Sequence, residues 1–148
     1  MKSCFIFGHG ICSEDILPQL EQTIEKYVLE ANIGIFYVGN RGDFDRLAAA
    51  AVKTVKNRIP DIQLHLLLAY HPAERPVVLS EGFDNSFYPP LENVPRVYSI
   101  VRANRYMVDA ADAIICYVKH PGNARNLLEY AQRRQKKQAF PIDNLATQ

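Results

Sequence analysis

The sequence predicts an α/β fold: a Rossmann-like, doubly wound, mainly parallel sheet of about five strands with helices on both faces. Three observations predict it. Short continuous apolar runs recur along the chain, as strands buried on both faces require. Stretches of helical period separate them. Glycine-bearing polar turns close three of the runs, which places polar groups at one edge of the sheet. The 148 residues match the size of one ordinary domain, and residues 1–148 are expected to form a single one.

Residues 4–8, Cys-Phe-Ile-Phe-Gly, read as the first strand. Ser13 followed by Glu14 and Asp15 supplies a cap and two acids for a helix. Ile16, Leu20, Ile24, Tyr27 and Val28 recur at its spacing. Pro18 is tolerated in the first turns. Residues 33–38 form the second strand. A helix over about 43–58 follows, rich in small, helix-favouring alanines, and Pro60 stops it. Residues 62–69 are the third strand. Residues 70–95 form a long connection punctuated by Pro72, Pro76, Pro89, Pro90 and Pro95. It reads equally as a lid, with Phe83, Phe87 and Tyr88 stacking on a base, or as an ordered cap. A third helix covers 96–110, a fourth strand 113–118, a fourth helix 127–137 and a short fifth strand 139–142. The tail, 143–148, reads as frayed.

Composition excludes several classes. Hydrophobic residues make up 48% and charged residues 22%, which is globular rather than disordered. The net charge of +1 selects neither a nucleic acid nor a membrane surface. The basic run over 133–137 reads as a solvated helix end. Cys4, Cys12 and Cys116 form no disulfide or zinc pattern. The amino-terminal apolar run is too short for a secretion signal, and no run approaches a bilayer span. A reducing, cytoplasmic location is the resulting expectation.

The chemistry is expected at the carboxyl edge, where ligands bind in doubly wound sheets. Three turns collect there: Gly8-His9-Gly10, Gly39-Asn40-Arg41-Gly42 with Asp45 beyond it, and His120-Pro121-Gly122-Asn123. Glycine lets backbone N–H groups approach a ligand closely, and each turn leads to a helix start suited to an anion. Each turn taken alone reads first as a tight connection, and it is the convergence of three on one edge that favours binding. No GxGxxG or Walker lysine is present, which argues against a dehydrogenase or a P-loop enzyme. Asp45 suits a ribose hydroxyl or base; it also suits the first turn of a helix. Asn104 and Arg105 are candidate polar contacts, with an Arg105–Asp109 ion pair as the alternative. His9, His71 and His120 each follow a strand, but their spacing carries no ligand geometry, so neither metal nor cofactor is expected. Glu129 could serve as an acid or base, or pair with Arg133 on an exposed helix face.

Phe5-Ile6-Phe7-Gly8-His9, Tyr37-Val38-Gly39-Asn40 with Gly42 and Phe44-Asp45, and Asn104-Arg105 ahead of Ala111-Asp112 together resemble an uncharacterised bacterial family of the SLOG superfamily. Tyr88-Pro89 and Val94-Pro95-Arg96 add to the likeness. That superfamily includes DNA-processing protein A and the Lonely Guy proteins, and the resemblance spans about residues 4–142. It implies a Rossmann-like domain binding a nucleotide or nucleotide-derived signal at the carboxyl edge. Lonely Guy proteins are phosphoribohydrolases with a Pro-Gly-Gly-x-Gly-Thr-x-x-Glu loop. Pro121, Gly122 and Glu129 match this pattern, whereas Asn123, Arg125 and Asn126 depart from it. Asn104-Arg105 resembles an Arg-Asn-Arg element whose first position is Ala103 here. The nearest family usually carries arginine where this chain has Gly10.

The leading expectation is therefore binding or sensing of a nucleotide-like small molecule. An N-glycosidase using Glu129 and Arg105 is the alternative. An interaction module, such as a homo-oligomer with a vestigial pocket, is the third reading.

Overall fold

The structure, a computed structural model, describes residues 1–147. Six parallel strands form one sheet in the order β4-β3-β2-β1-β5-β6. They are β1 (Lys2–Gly8), β2 (Ile33–Val38), β3 (Gln63–Leu67), β4 (Asn85–Phe87), β5 (Ala113–Tyr117) and β6 (Ile142–Asn144). Four helices connect them: α1 (Leu17–Ala31), α2 (Asp43–Arg58), α3 (Ser99–Ala110) and α4 (Asn123–Lys137). The Rossmann-like α/β architecture is as the sequence predicts, with six strands rather than five.

Strand β1 lies inside the sheet, with Phe5 opposite Tyr37 on one side and Ile114 on the other. Its Cys4, Phe5, Ile6 and Phe7 are all buried. The two-residue period of a strand divides them between two cores. Cys4 and Ile6 join Leu20, Ile24 and Tyr27 of α1 and Phe44, Leu47 and Val52 of α2. Phe5 and Phe7 join Ala103, Met107 and Val108 of α3 and Leu127, Leu128 and Ala131 of α4. Helices α1 and α2 thus cover one face, α3 and α4 the other. The chain winds outward from β1 through β4, then returns to β5 on the opposite side of β1. The β1/β5 boundary is the topological switch point.

The additional strand is β4, inside the connection expected to lack regular structure. It has three residues and pairs with β3, His65 facing Asn85. Asp84 anchors it. Its carboxylate accepts from Leu64 N at 2.9 Å and pairs with Lys56, while its own N–H donates to the Leu64 carbonyl at 2.9 Å. Burial alone would raise the Asp84 carboxyl; the Lys56 bonds and the Leu64 N–H hold it below its ordinary value.

Other boundaries shift for local reasons. Ser13 caps a single 3₁₀ turn, accepting from Asp15 N at 3.2 Å, before α1 begins at Leu17. Helix α4 starts at Asn123, four residues before the expected Leu127. The tail is ordered: Asp143 and Asn144 extend β6, and Leu145 is buried in the first core. Asn144 fixes this end by bonding both the N–H and the carbonyl of Val118 at 3.0 Å. The final position of the expected tail, residue 148, lies outside the described residues.

Candidate functional site

A cavity of about 460 Å³ opens at the carboxyl edge beside the switch point. All three glycine-bearing turns reach it. Gly8, His9 and Gly10 line it from β1; Gly39, Arg41 and Asp45 from β2 and α2; His120, Gly122 and Asn123 from the β5–α4 turn. Asn104 joins them from α3. Asn40, Gly42 and Pro121 belong to the same turns but are not lining residues. The apolar floor comes from Phe5, Phe7, Leu67, Ala103 and Leu127. The sequence marks Phe5, Phe7 and Leu67 as strand residues, Leu127 as the start of a helix and Ala103 as the first position of the Arg-Asn-Arg-like element, and does not point to any of them as cavity floor.

The first and second turns touch through backbone. The Asp43 N–H donates to the Gly10 carbonyl at 2.8 Å, and Asp43 Oδ2 accepts from Cys12 N at 3.2 Å. Gly42 permits this approach: a Cβ there would lie 2.6 Å from Gly10 Cα. A Cβ on Gly10 would meet nothing within 4 Å. The arginine expected at that position in the resembled family is therefore not excluded by crowding.

His9 connects the first and third turns. Its Nε2 accepts from Lys119 N at 2.8 Å and from His120 N at 3.4 Å. Accepting at Nε2 places the ring proton on Nδ1 in the neutral form. Burial, the neighbouring His120, Arg125 and Lys119 all hold its pKa below the ordinary histidine value. Its ring stacks on His120, with centroids 3.7 Å apart. His71 instead meets the Tyr88 ring in the long connection. Among the described residues, no group of three or more His, Cys, Asp or Glu is arranged to hold a metal ion.

Asp45 is the carboxylate of the cavity. Its Oδ2 accepts from Arg41 N at 2.9 Å and sits where a Cβ on Gly39 would fall, 2.8 Å away. Burial pushes its pKa above the ordinary carboxylate value, against the lowering effect of the Arg41 N–H and guanidinium. Burial also raises the three cysteine thiols, Cys116 to about 12, which disfavours their thiolate forms.

The two helix starts at the cavity differ electrostatically. Helix α2 carries Asp43 and Asp45 in its first turn, which already offset its dipole. Helix α4 has no acid in its first turn and no side-chain cap. Gly122 precedes it at φ +142°, a conformation that L side chains rarely adopt. Arg125 adds a cation, and its buried Nε has no hydrogen-bond partner. The α4 start is therefore the better anion site.

Glu129 and Arg105 are placed elsewhere. Glu129 is exposed on α4 and does not line the cavity. Arg105 lies in a separate groove with Arg102, Tyr106, Asp109 and Tyr130. Its guanidinium sits 4.9 Å from the Tyr130 ring centroid. The expected Arg105–Asp109 pair is not formed either; both carboxylate oxygens of Asp109 accept from the Tyr130 hydroxyl. Helix α3 explains the separation, since the adjacent Asn104 and Arg105 project to different sides. Phe83, Phe87 and Tyr88 do not line the cavity: Phe83 packs against the first core, and Phe87 and Tyr88 against the second. The three aromatics expected to stack on a base are thus engaged in core packing instead.

A scan against family models and a search of curated proteins found no match to the chain. Among the described residues, no helix is long and apolar enough to cross a membrane. Fold and cavity define a Rossmann-like α/β protein with a polar-rimmed site at its switch point.

Proposed function

We propose that this protein binds a nucleotide-derived small molecule in the carboxyl-edge cavity, as a SLOG-type domain. One observation carries the reading. Three glycine-bearing turns meet around one cavity whose volume suits a small ligand. Its chemistry is divided. The acid-free start of α4, with Gly122 and Asn123, suits a phosphate. Asp45 suits a ribose hydroxyl or a base N–H, with Asn104 as an adjustable donor or acceptor. Phe5, Phe7 and Leu67 offer an apolar bed for a base.

The test is a thermal-shift panel of nucleosides, nucleoside monophosphates, cyclic nucleotides and ADP-ribose. Stabilisation by phosphorylated members, lost on Asp45→Ala, is the expected outcome. No stabilisation by any member at millimolar concentration would overturn the reading. The open cavity favours binding over an interaction module with a vestigial pocket.

A second reading has its own observation. Asp45 lines the cavity with a carboxyl that holds its proton more tightly than usual. That property suits a general acid. An N-glycosidase would then use Asp45 rather than Glu129 or Arg105. Release of free base, abolished by Asp45→Asn, would establish this chemistry.

A further inference from the structure

Tyr70, just beyond β3, gathers three guanidiniums about one ring. Arg75 lies 3.9 Å from its centroid, Arg96 5.3 Å and Arg41 5.5 Å. Arg41 also lines the carboxyl-edge cavity, so the cluster continues from the cavity mouth. Glu74 pairs with Arg96. Arg75 has no carboxylate partner among the described residues. Glu74 offsets Arg96 and Asp45 acts on Arg41 from the cavity side, which leaves Arg75 as the uncompensated charge of the cluster.

The arrangement is built by local structure. His71 Nδ1 accepts from Ala73 N at 3.0 Å, and its carbonyl accepts from Glu74 N at 2.9 Å and Arg75 N at 3.0 Å. This turn brings Arg75 back over Tyr70. Arg96 opens the 3₁₀ turn before α3, and Arg41 follows the end of β2. Three separate chain segments thus converge on one aromatic ring. Like charges gathered about one ring repel, and cation–π contact at an exposed site contributes only about 0.5–1 kcal/mol each. An anion placed among the guanidiniums removes the repulsion and meets planar donors suited to phosphate.

We infer that the Arg41–Arg75–Arg96 cluster on Tyr70 receives a second phosphate, or equivalent anionic group, of a ligand seated in the cavity. This rests on the nucleotide-binding reading and narrows it. The ligand class is a nucleotide with at least two phosphate groups, one at the α4 start and another beyond the cavity mouth. The 70–95 connection, together with the 3₁₀ turn that follows it, then acts in selectivity by presenting Arg75 and Arg96.

Isothermal titration of the full chain at low salt tests this with adenosine, AMP, ADP, adenosine 3′,5′-bisphosphate and inorganic pyrophosphate. Guanine counterparts are run in parallel. At least one bisphosphorylated nucleotide should bind about tenfold or more tightly than its monophosphate, the scale of one charge-assisted contact. Arg75→Ala combined with Arg96→Ala should reduce that advantage below about threefold. Arg75→Lys with Arg96→Lys should retain part of it. Lys137→Ala, on the exposed end of α4, should leave it unchanged. If monophosphates bind and a second phosphate adds nothing, the inference falls and the nucleotide reading stands. If no nucleoside or nucleotide binds, the nucleotide reading falls as well. If pyrophosphate alone binds as tightly as the bisphosphorylated nucleotides, the cluster is an anion site without a nucleotide, which overturns the inference.

Discussion

Gly42→Ala should separate the first and second turns, whereas Gly10→Ala should not. In the folded protein a methyl at position 42 would lie 2.6 Å from Gly10 Cα and 2.9 Å from its carbonyl oxygen. Ordinary carbon–carbon contact begins near ~3.5 Å, so the turns must part by about 1 Å. Such a shift weakens the 2.8 Å bond from Asp43 N–H to the Gly10 carbonyl. Overpacking costs about 1–3 kcal/mol, and the lost bond about 1 kcal/mol more. The expected loss is thus about 2–4 kcal/mol. Gly10→Ala meets open space and should stay within about 0.5 kcal/mol of the parent. Urea denaturation separates the two: Gly42→Ala should lower the midpoint by about 1–2 M, given slopes of ~1–3 kcal/mol/M. Ligand-induced stabilisation should fall with it, because the contact shapes the cavity mouth. Equal effects from the two substitutions, or a negligible effect of Gly42→Ala, would refute the close-approach argument.

Three further outcomes follow from buried and paired groups. Asp45→Asn should stabilise the free protein while weakening ligand binding. The native carboxyl is raised, so wild-type stability should fall as pH rises from the ordinary carboxylate value through the native one, and the variant should lose that slope in denaturation across pH 3–7. Asp84→Asn should cost about 1–2 kcal/mol at neutral pH by removing the Lys56 pair and weakening the Leu64 contact. Because the native Asp84 carboxyl is depressed, its contribution is present above the ordinary value and is lost as pH falls through the native one; calorimetry against pH reads this. His9→Ala should cost about 1–3 kcal/mol by orphaning the Lys119 and His120 N–H groups, with faster amide exchange at both. The lowered native pKa of His9 means this contribution grows as pH rises through the ordinary histidine range.

The sequence made the central strands and helices legible because burial on two faces leaves continuous apolar runs, as in residues 4–7 and 113–116. Strand β4 left no such trace. It is a three-residue edge strand whose position depends on Asp84, Lys56 and Leu64, residues far apart in the chain. The three turns were legible from glycine and polar residues after apolar runs. Their separate duties were not. His9 resembles a ligand contact by type, yet its Nε2 is engaged by two backbone amides. Arg105 follows Asn104 by one residue, and that single step of helical phase moves it to another groove. The Tyr70 cluster draws on residues 41, 75 and 96, a convergence that no local pattern carries.

Backbone amide NMR during titration with ADP shows whether a nucleotide occupies the carboxyl-edge cavity. Saturable shifts are expected at Gly10, Gly39, Arg41, Gly122 and Asn123, all at the carboxyl edge, with little change around Arg102 and Tyr130. Absence of shifts at millimolar nucleotide, or shifts confined to the Arg102–Tyr130 groove, would contradict that occupancy.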